Sequence, residues 1–275
     1  MKRRSGYKVE NVTGMQNIMF DLMPNRADAE VYMNAKVDVT EFVKFMKKEK
    51  TKNSDITYFH GFLAILGKVF YKYPNLNTYV QNRTLFMHND ISIGFVLKAE
   101  FREESEEFMT CLKIDTNDNL YKISDKIKSK VNSIRNKRKR HTDGANNIVD
   151  TVGHLPRPIR SFIVGILKWI DRKFELPKDI AEENIYYSSV IVSNLGTFKT
   201  GAIYHHLANL GTSSGIITFG EVVEENHKYY MEMGLTLDER ISDGFLFCKA
   251  MKSIKYLFSH PELLLEDISL EFEEK

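Results

Sequence analysis

Val190-Ile-Val-Ser-Asn-Leu-Gly-Thr-Phe198 opens on a β-branched run and breaks into a polar turn. Such a run, closed by Asn and Gly, predicts a buried strand leading into a tight loop. It belongs to an expected strand over 185–193, and further strands are predicted over 215–223 and 228–237. Upstream, Glu30-Val-Tyr-Met-Asn-Ala-Lys-Val-Asp38 alternates, with Val31, Met33, Ala35 and Val37 on one face of a half-buried strand. Thr40 is placed to cap a helix that turns Phe42, Phe45 and Met46 inward, with Val43 at the edge of that face. A second helix is predicted from about Thr57, burying Phe59, Phe62, Leu63, Leu66, Val69 and Phe70 and stopping before Pro74. Strands follow over 84–88 and 91–98, then over 107–114 after an acidic turn from Arg102. A final helix is predicted from near Asp243, burying Phe247, Cys248, Met251, Ile254, Leu257 and Phe258. Strands and helices interleave with no repeat or long linker, which predicts one α/β domain over residues 1–275.

The composition excludes several classes. With 275 residues, 43% hydrophobic and 12% aromatic, the chain has ample material for a core and is not a disordered polymer. Its net charge of +2 argues against a dedicated nucleic-acid binder. Two cysteines, Cys111 and Cys248, make neither a secreted disulfide framework nor a zinc site. The basic start, Met1-Lys-Arg-Arg-Ser-Gly, is followed by no apolar h-region, and no apolar run is long enough to span a bilayer. The expectation is a soluble, cytoplasmic protein.

Charge is unevenly spread. Residues 121–141 hold nine Lys or Arg against Asp125, while Ile123, Ile127, Val131 and Ile134 form one apolar stripe. This predicts a surface helix with a solvated basic face. A turn-rich stretch, 142–158, follows with Asp143-Gly144, Gly153, Pro156 and Pro158. From Pro158 to Phe174, Ile159, Phe162, Ile163, Ile166, Trp169, Ile170 and Phe174 share a broad apolar face beside basic residues. Such a helix usually packs on its domain, and that is the expectation; peripheral contact with a membrane interface is the alternative.

A second motif, Leu235-Thr-Leu-Asp-Glu-Arg-Ile-Ser-Asp-Gly-Phe245, is a strand running through a turn into the last helix. With the Ser-Asn-Leu-Gly strand it resembles the catalytic domain of the acyltransferase components of 2-oxo acid dehydrogenase complexes. Chloramphenicol acetyltransferase is similar in layout. Tyr73-Pro-Asn-Leu-Asn77 and Val37-Asp-Val-Thr40 resemble further segments of that family, so the likeness runs from about residue 10 to residue 266. It implies a two-layer α/β sandwich with a mixed β-sheet and helices on one side. It also implies a homotrimer with active sites between subunits. No lipoyl-carrying or subunit-binding segment precedes the domain, so a stand-alone form is expected. The connection 142–183, with its amphipathic helix, looks longer than the family's.

The resemblance also implies the chemistry. An acyl group would pass between coenzyme A, as a substrate thioester, and an acceptor thiol or hydroxyl; no metal is implied. Ser193 matches the serine that donates to the tetrahedral oxyanion, with Asn194 and Gly196 beside it. The family pattern Asp-His-Arg-x-x-Asp-Gly is met by Asp238, Arg240, Asp243 and Gly244. Its catalytic histidine is replaced by Glu239. Asp243 would fix the turn, and Gly244 would let the chain turn closely into the helix. Proton transfer from a thiol of pKa about 8.5 to an ordinary glutamate costs about 3 kcal/mol more than to histidine. That is roughly a hundredfold in rate. Burial would narrow the gap, whereas Arg240 turned towards Glu239 would widen it. His205 and His206, in the loop after the serine strand, are a second source of imidazole. Paired histidines are also a weak metal signal, but no carboxylate or cysteine at ligand spacing accompanies them.

Three readings follow. The first is a coenzyme A-dependent acyltransferase with an altered active site and an unknown acceptor. The second is a catalytically inactive trimeric relative that binds acyl thioesters or acts as a scaffold. The third is a peripheral membrane or nucleic-acid protein using 158–174 or 121–141. No nucleic-acid partner is expected.

Overall fold

The computed structural model describes residues 3–98, 107–139, 151–182 and 184–274. Among the described residues, nine strands form two sheets. The larger sheet has six strands in the order β2-β9-β8-β7-β5-β6. These are β2 (Glu30–Asp38), β5 (Ile91–Lys98), β6 (Glu107–Ile114), β7 (Val190–Asn194), β8 (Gly215–Glu225) and β9 (Lys228–Asp238). It is mixed: β7 lies parallel to β5 and β8, and the other pairs are antiparallel. A three-stranded antiparallel sheet joins β1 (Gly6–Lys8), β4 (Thr84–His88) and β3 (Thr78–Gln81).

One face of the large sheet carries helices α2 (Thr40–Lys52), α3 (Tyr58–Lys72), α4 (Leu120–Lys139) and α6 (Gly244–Ser259). The numbering leaves α1 for Gly14–Leu22 and α5 for Arg157–Lys173. This is the mixed-sheet α/β sandwich expected from the sequence. Its core forms where strand alternation meets helical periodicity. Val190 and Val192 of β7, Phe219 of β8 and Met233 and Leu235 of β9 face the helices. Phe62 of α3 stacks on Phe219 with ring centroids 4.2 Å apart, an offset pair that adds to area burial. Among the described residues, no helix is long and apolar enough to cross a membrane.

Several sequence expectations need correction. The strand expected over 185–193 begins only at Val190, because Ile185–Tyr187 is a 3-10 turn. The Asn184 side chain accepts the Tyr186 N–H there, and Ser188 Oγ donates to Ile185 O; such side-chain bonds compete with a ladder. Thr40 does not cap α2; Val39 occupies that place. The Thr40 hydroxyl instead donates to Asp38 and accepts the Tyr229 N–H, tying α2 to β9. Val43 is fully buried and Phe45 only partly so, the reverse of the expected order. Cys248, expected inward, is exposed on α6.

The helix at 157–173 is present, but much of its apolar face is not packed on the described residues; Ile163 and Ile170 are half-buried. Ile159, Phe162, Ile166, Trp169 and the following Phe174 are all exposed. In the basic helix, Ile123 and Ile127 are buried and Val131 and Ile134 partly so. The acidic turn at 102–106, Arg140, His141 and the stretch 142–150 with Asp143-Gly144 lie outside the described residues.

Candidate active site

The outer face of the large sheet, away from the helices, carries the polar residues. Ser193 alternates with the core residue Val192 and so faces outward. At its end the chain turns tightly: Asn194 Oδ1 accepts the Gly196 N–H at 3.2 Å, and Leu195 N–H donates to Phe219 O at 2.8 Å. The chain then crosses back over the sheet. A Cβ on Gly220 would lie 2.9 Å from Ala202 N, and one on Gly234 would lie 2.8 Å from Ile203 O. The loop lies this low on β8 and β9 because those two positions lack side chains.

Crossing further, the loop reaches β2. Tyr204 packs edge-on against Tyr32, with ring centroids 5.2 Å apart. His206 Nδ1 lies 2.9 Å from Glu30 Oε2, and the Leu207 N–H donates to Glu30 Oε1 at 2.6 Å. Tyr32 OH adds a third bond to the same carboxylate, at 2.5 Å. The Glu30 side chain is only 4% exposed, whereas His206 is 85% exposed. Burial works to raise the Glu30 pKa, but bonds from Tyr32, Leu207 N–H and His206 outweigh it and hold the carboxyl below its ordinary range. The result is a fixed carboxylate gripping one imidazole nitrogen and presenting the ring outward. His205 differs: its Nε2 is buried and has no partner among the described residues. Thr218 and Thr236, also on the outer face, have buried hydroxyls with no partner among those residues. Among the described residues no three His, Cys, Asp or Glu side chains converge as metal ligands.

Glu30 pairs with Asp238 across β2 and β9, which sets His206 beside the strand end that carries Glu239. There Arg240 donates from Nε and Nη2 to the two oxygens of Asp238, at 2.8 and 2.6 Å, and from Nη1 to Met23 O. Asp238 and Arg240 are both buried. Arg240 is therefore committed to Asp238 and not to Glu239. Glu239 is half-buried, and its N–H donates to Ala29 O. Asp243 caps α6 by accepting the Leu246 N–H at 3.1 Å. Gly244 is the first residue of α6, and a Cβ there would meet nothing within 4 Å among the described residues.

A family model for the catalytic domain of 2-oxoacid dehydrogenase acyltransferases matches residues 4–153. The chain belongs to this acyltransferase family. Its backbone is similar to that of a probable dihydrolipoamide acetyltransferase from Listeria monocytogenes (16% identity, TM-score 0.58, covering 93% of this chain and 95% of that one). It is also similar to the dihydrolipoamide acetyltransferase of Azotobacter vinelandii (13%, TM-score 0.60, 94% of each chain). A third likeness is to chloramphenicol acetyltransferase (12%, TM-score 0.58, 92% of this chain and 99% of that one). At these identities the likeness is one of fold. No curated protein matches.

In this acyltransferase-family chain the two motifs do not meet. Ser193 is level with Thr218, and Thr218 with Gly234, five residues before Glu239 on β9. Five residues along a strand and two strands across put Ser193 and Glu239 roughly 20 Å apart. Glu30, Tyr32, Thr218 and Thr236 escaped the sequence reading. The one available signal was the polar face of the β2 alternation, where Glu30 and Tyr32 fall together.

Proposed function

We propose that the chain transfers an acyl group between coenzyme A and an acceptor thiol or hydroxyl, at a centre completed between two subunits of a homotrimer. The observation that carries this reading is the Glu30–His206 pair. In the family pattern a histidine follows Asp238, and here Glu239 stands in its place. His206 reaches the same strand end from the loop, already oriented by a carboxylate, as a general base requires. Its Nε2 would take the proton of the acceptor as the acceptor attacks the thioester carbon. The Ser193 hydroxyl of an adjacent subunit would donate to the oxyanion. The carbon–sulfur bond then breaks, and the coenzyme A thiolate takes the proton back from His206. The 20 Å between Ser193 and Glu239 supports the trimer, because a centre using both ends of the sheet needs two chains.

The test is turnover of acetyl-coenzyme A with a dithiol acceptor by the native chain and by His206→Ala. A loss of about 10²–10⁴-fold supports the assignment. Loss in Glu239→Gln instead would move the base to a tuned glutamate. A folded trimer that binds coenzyme A without turnover would make the chain an inactive relative.

A further inference from the structure

Helix α5 is held to the protein by its buried side alone. The Asp171 carboxylate accepts from Gln81 Nε2, Tyr187 OH and the Gly211 N–H at 2.7–2.9 Å. Phe162 lies nine residues before Asp171, two and a half helical turns, so it points the opposite way. Trp169, two residues before Asp171, is 200° round the same wheel. Phe162, Trp169 and Ile166 are 69%, 56% and 42% exposed. Gly165 leaves a groove of about 360 Å³ between them.

The surface continues beyond this helix. Met15, Ile18 and Leu22 make a second exposed apolar stripe, on α1. Pro24 and Asn25, just after α1, line a cleft of about 380 Å³ with Arg83, Lys168, Trp169 and Arg172. The cleft lies between the end of α1 and α5, with Trp169, Lys168 and Arg172 on its wall, and Arg83 there pairs with Asp21 at 3.1 Å. Arg157, Arg160, Lys168, Arg172 and Lys173 of α5 are exposed, while its one acidic residue, Asp171, is engaged internally.

We infer that this face docks on an anionic phospholipid bilayer, with α5 lying in the plane of the interface. Phe162, Ile166 and Trp169 enter the acyl boundary, and Lys168 and Arg172 sit at the level of the lipid phosphates. An exposed apolar stripe bordered by cations suits that surface, and Trp favours the interface. A second copy of the helix would bring five more cations against the first five. A nucleic acid would leave the apolar stripe in water.

Trp169 is the only tryptophan in the chain, so its emission reports this face directly. The full chain is mixed with vesicles of phosphatidylcholine, with and without about one-third phosphatidylserine. A blue shift and co-sedimentation with the anionic vesicles are expected, weakening with salt. Phe162→Asp combined with Ile166→Asp should abolish binding, and Lys168→Glu or Arg172→Glu should each weaken it about fivefold or more. These residues are exposed, and an unchanged melting transition confirms the fold of each variant. No shift with anionic vesicles overturns the inference, as does binding that survives the double aspartate variant. A lipid-free shift with protein concentration would assign the face to a second copy, and a shift with DNA alone would assign it to nucleic acid. Either result also overturns it.

Discussion

Glu30 and His206 stand 176 residues apart in the chain and 2.9 Å apart in the fold. The carboxylate is buried, three donors hold it, and the imidazole it grips is open to solvent. A catalytic base needs a fixed ring with one nitrogen free for the substrate, and this pair provides both.

Glu30→Gln preserves shape but removes the anion that orients the ring. Acyl transfer is expected to fall by at least about tenfold, and by less than in His206→Ala. Steady-state kinetics on both variants, each with an unchanged melting transition, check the order. Equal activity of Glu30→Gln and the native protein would remove the pair from the mechanism.

Glu239→His places an imidazole where the motif resemblance expects one. If the base alone limits the native site, turnover should rise by about a hundredfold. If His206 already serves, the gain should be small in the native background and large only when His206 is removed. The double variant with His206→Ala separates the two outcomes.

Arg240→Leu strips the buried Asp238 carboxylate of its guanidinium partner, leaving it the main-chain N–H at position 240 and the charge of the nearby buried Arg26. Stability should fall by about 3–5 kcal/mol, the usual cost of breaking a buried pair from one side. Chemical denaturation gives the value directly. A loss below about 1 kcal/mol would mean that water reaches the pair.

His60 and His88 predict a pH dependence. Burial pushes both imidazoles down to about 4, against about 6.5 in an unfolded chain. Between those values the unfolded state binds protons that the folded state refuses. Stability is therefore full above about pH 6.5 and is lost as pH falls towards about 4. Each histidine accounts for up to about 3 kcal/mol of that loss. Urea melts between neutral pH and pH 4.5 should show it, and His88→Phe should flatten part of the slope.

Gly211→Ala should loosen α5. Gly211 has φ +80°, and a Cβ there would lie 2.1 Å from Tyr186 O. A left-handed alanine costs about 1–3 kcal/mol before the overlap is relieved. The Gly211 N–H that Asp171 accepts would shift with it. A lower melting temperature with faster hydrogen exchange in 157–173 is the expected result.

Much of the fold was legible in the sequence. The strands at 84–88, 91–98 and 107–114 fall where alternation puts them, and α6 starts at the residue its Asp243 cap indicates. Ile185-Tyr-Tyr misled because aromatic and β-branched residues favour strands, while the Asn184 and Ser188 side chains close a turn around them. Thr40 misled because its hydroxyl answers to Asp38 and to the distant Tyr229. Of the candidate site, Ser193 and the Asp238–Gly244 segment stood out as motifs, whereas Glu30 did not.

The difference is one of range. Periods of two and 3.6 residues, caps and turn residues act over a few positions, so the sequence alone determined most of the strand and helix segments and the general direction of their apolar faces. What lies against a face depends on where a distant segment passes. The tertiary structure decided that the 201–207 loop crosses Gly220 and Gly234 to deliver His206 to Glu30. It also decided that Ser193 and Glu239 stand at different levels of one sheet, and that Asp171 holds α5 from behind while Phe162, Ile166 and Trp169 stay exposed. Those are relations between residues far apart in sequence, set by strand register and loop path, and no local pattern encodes them.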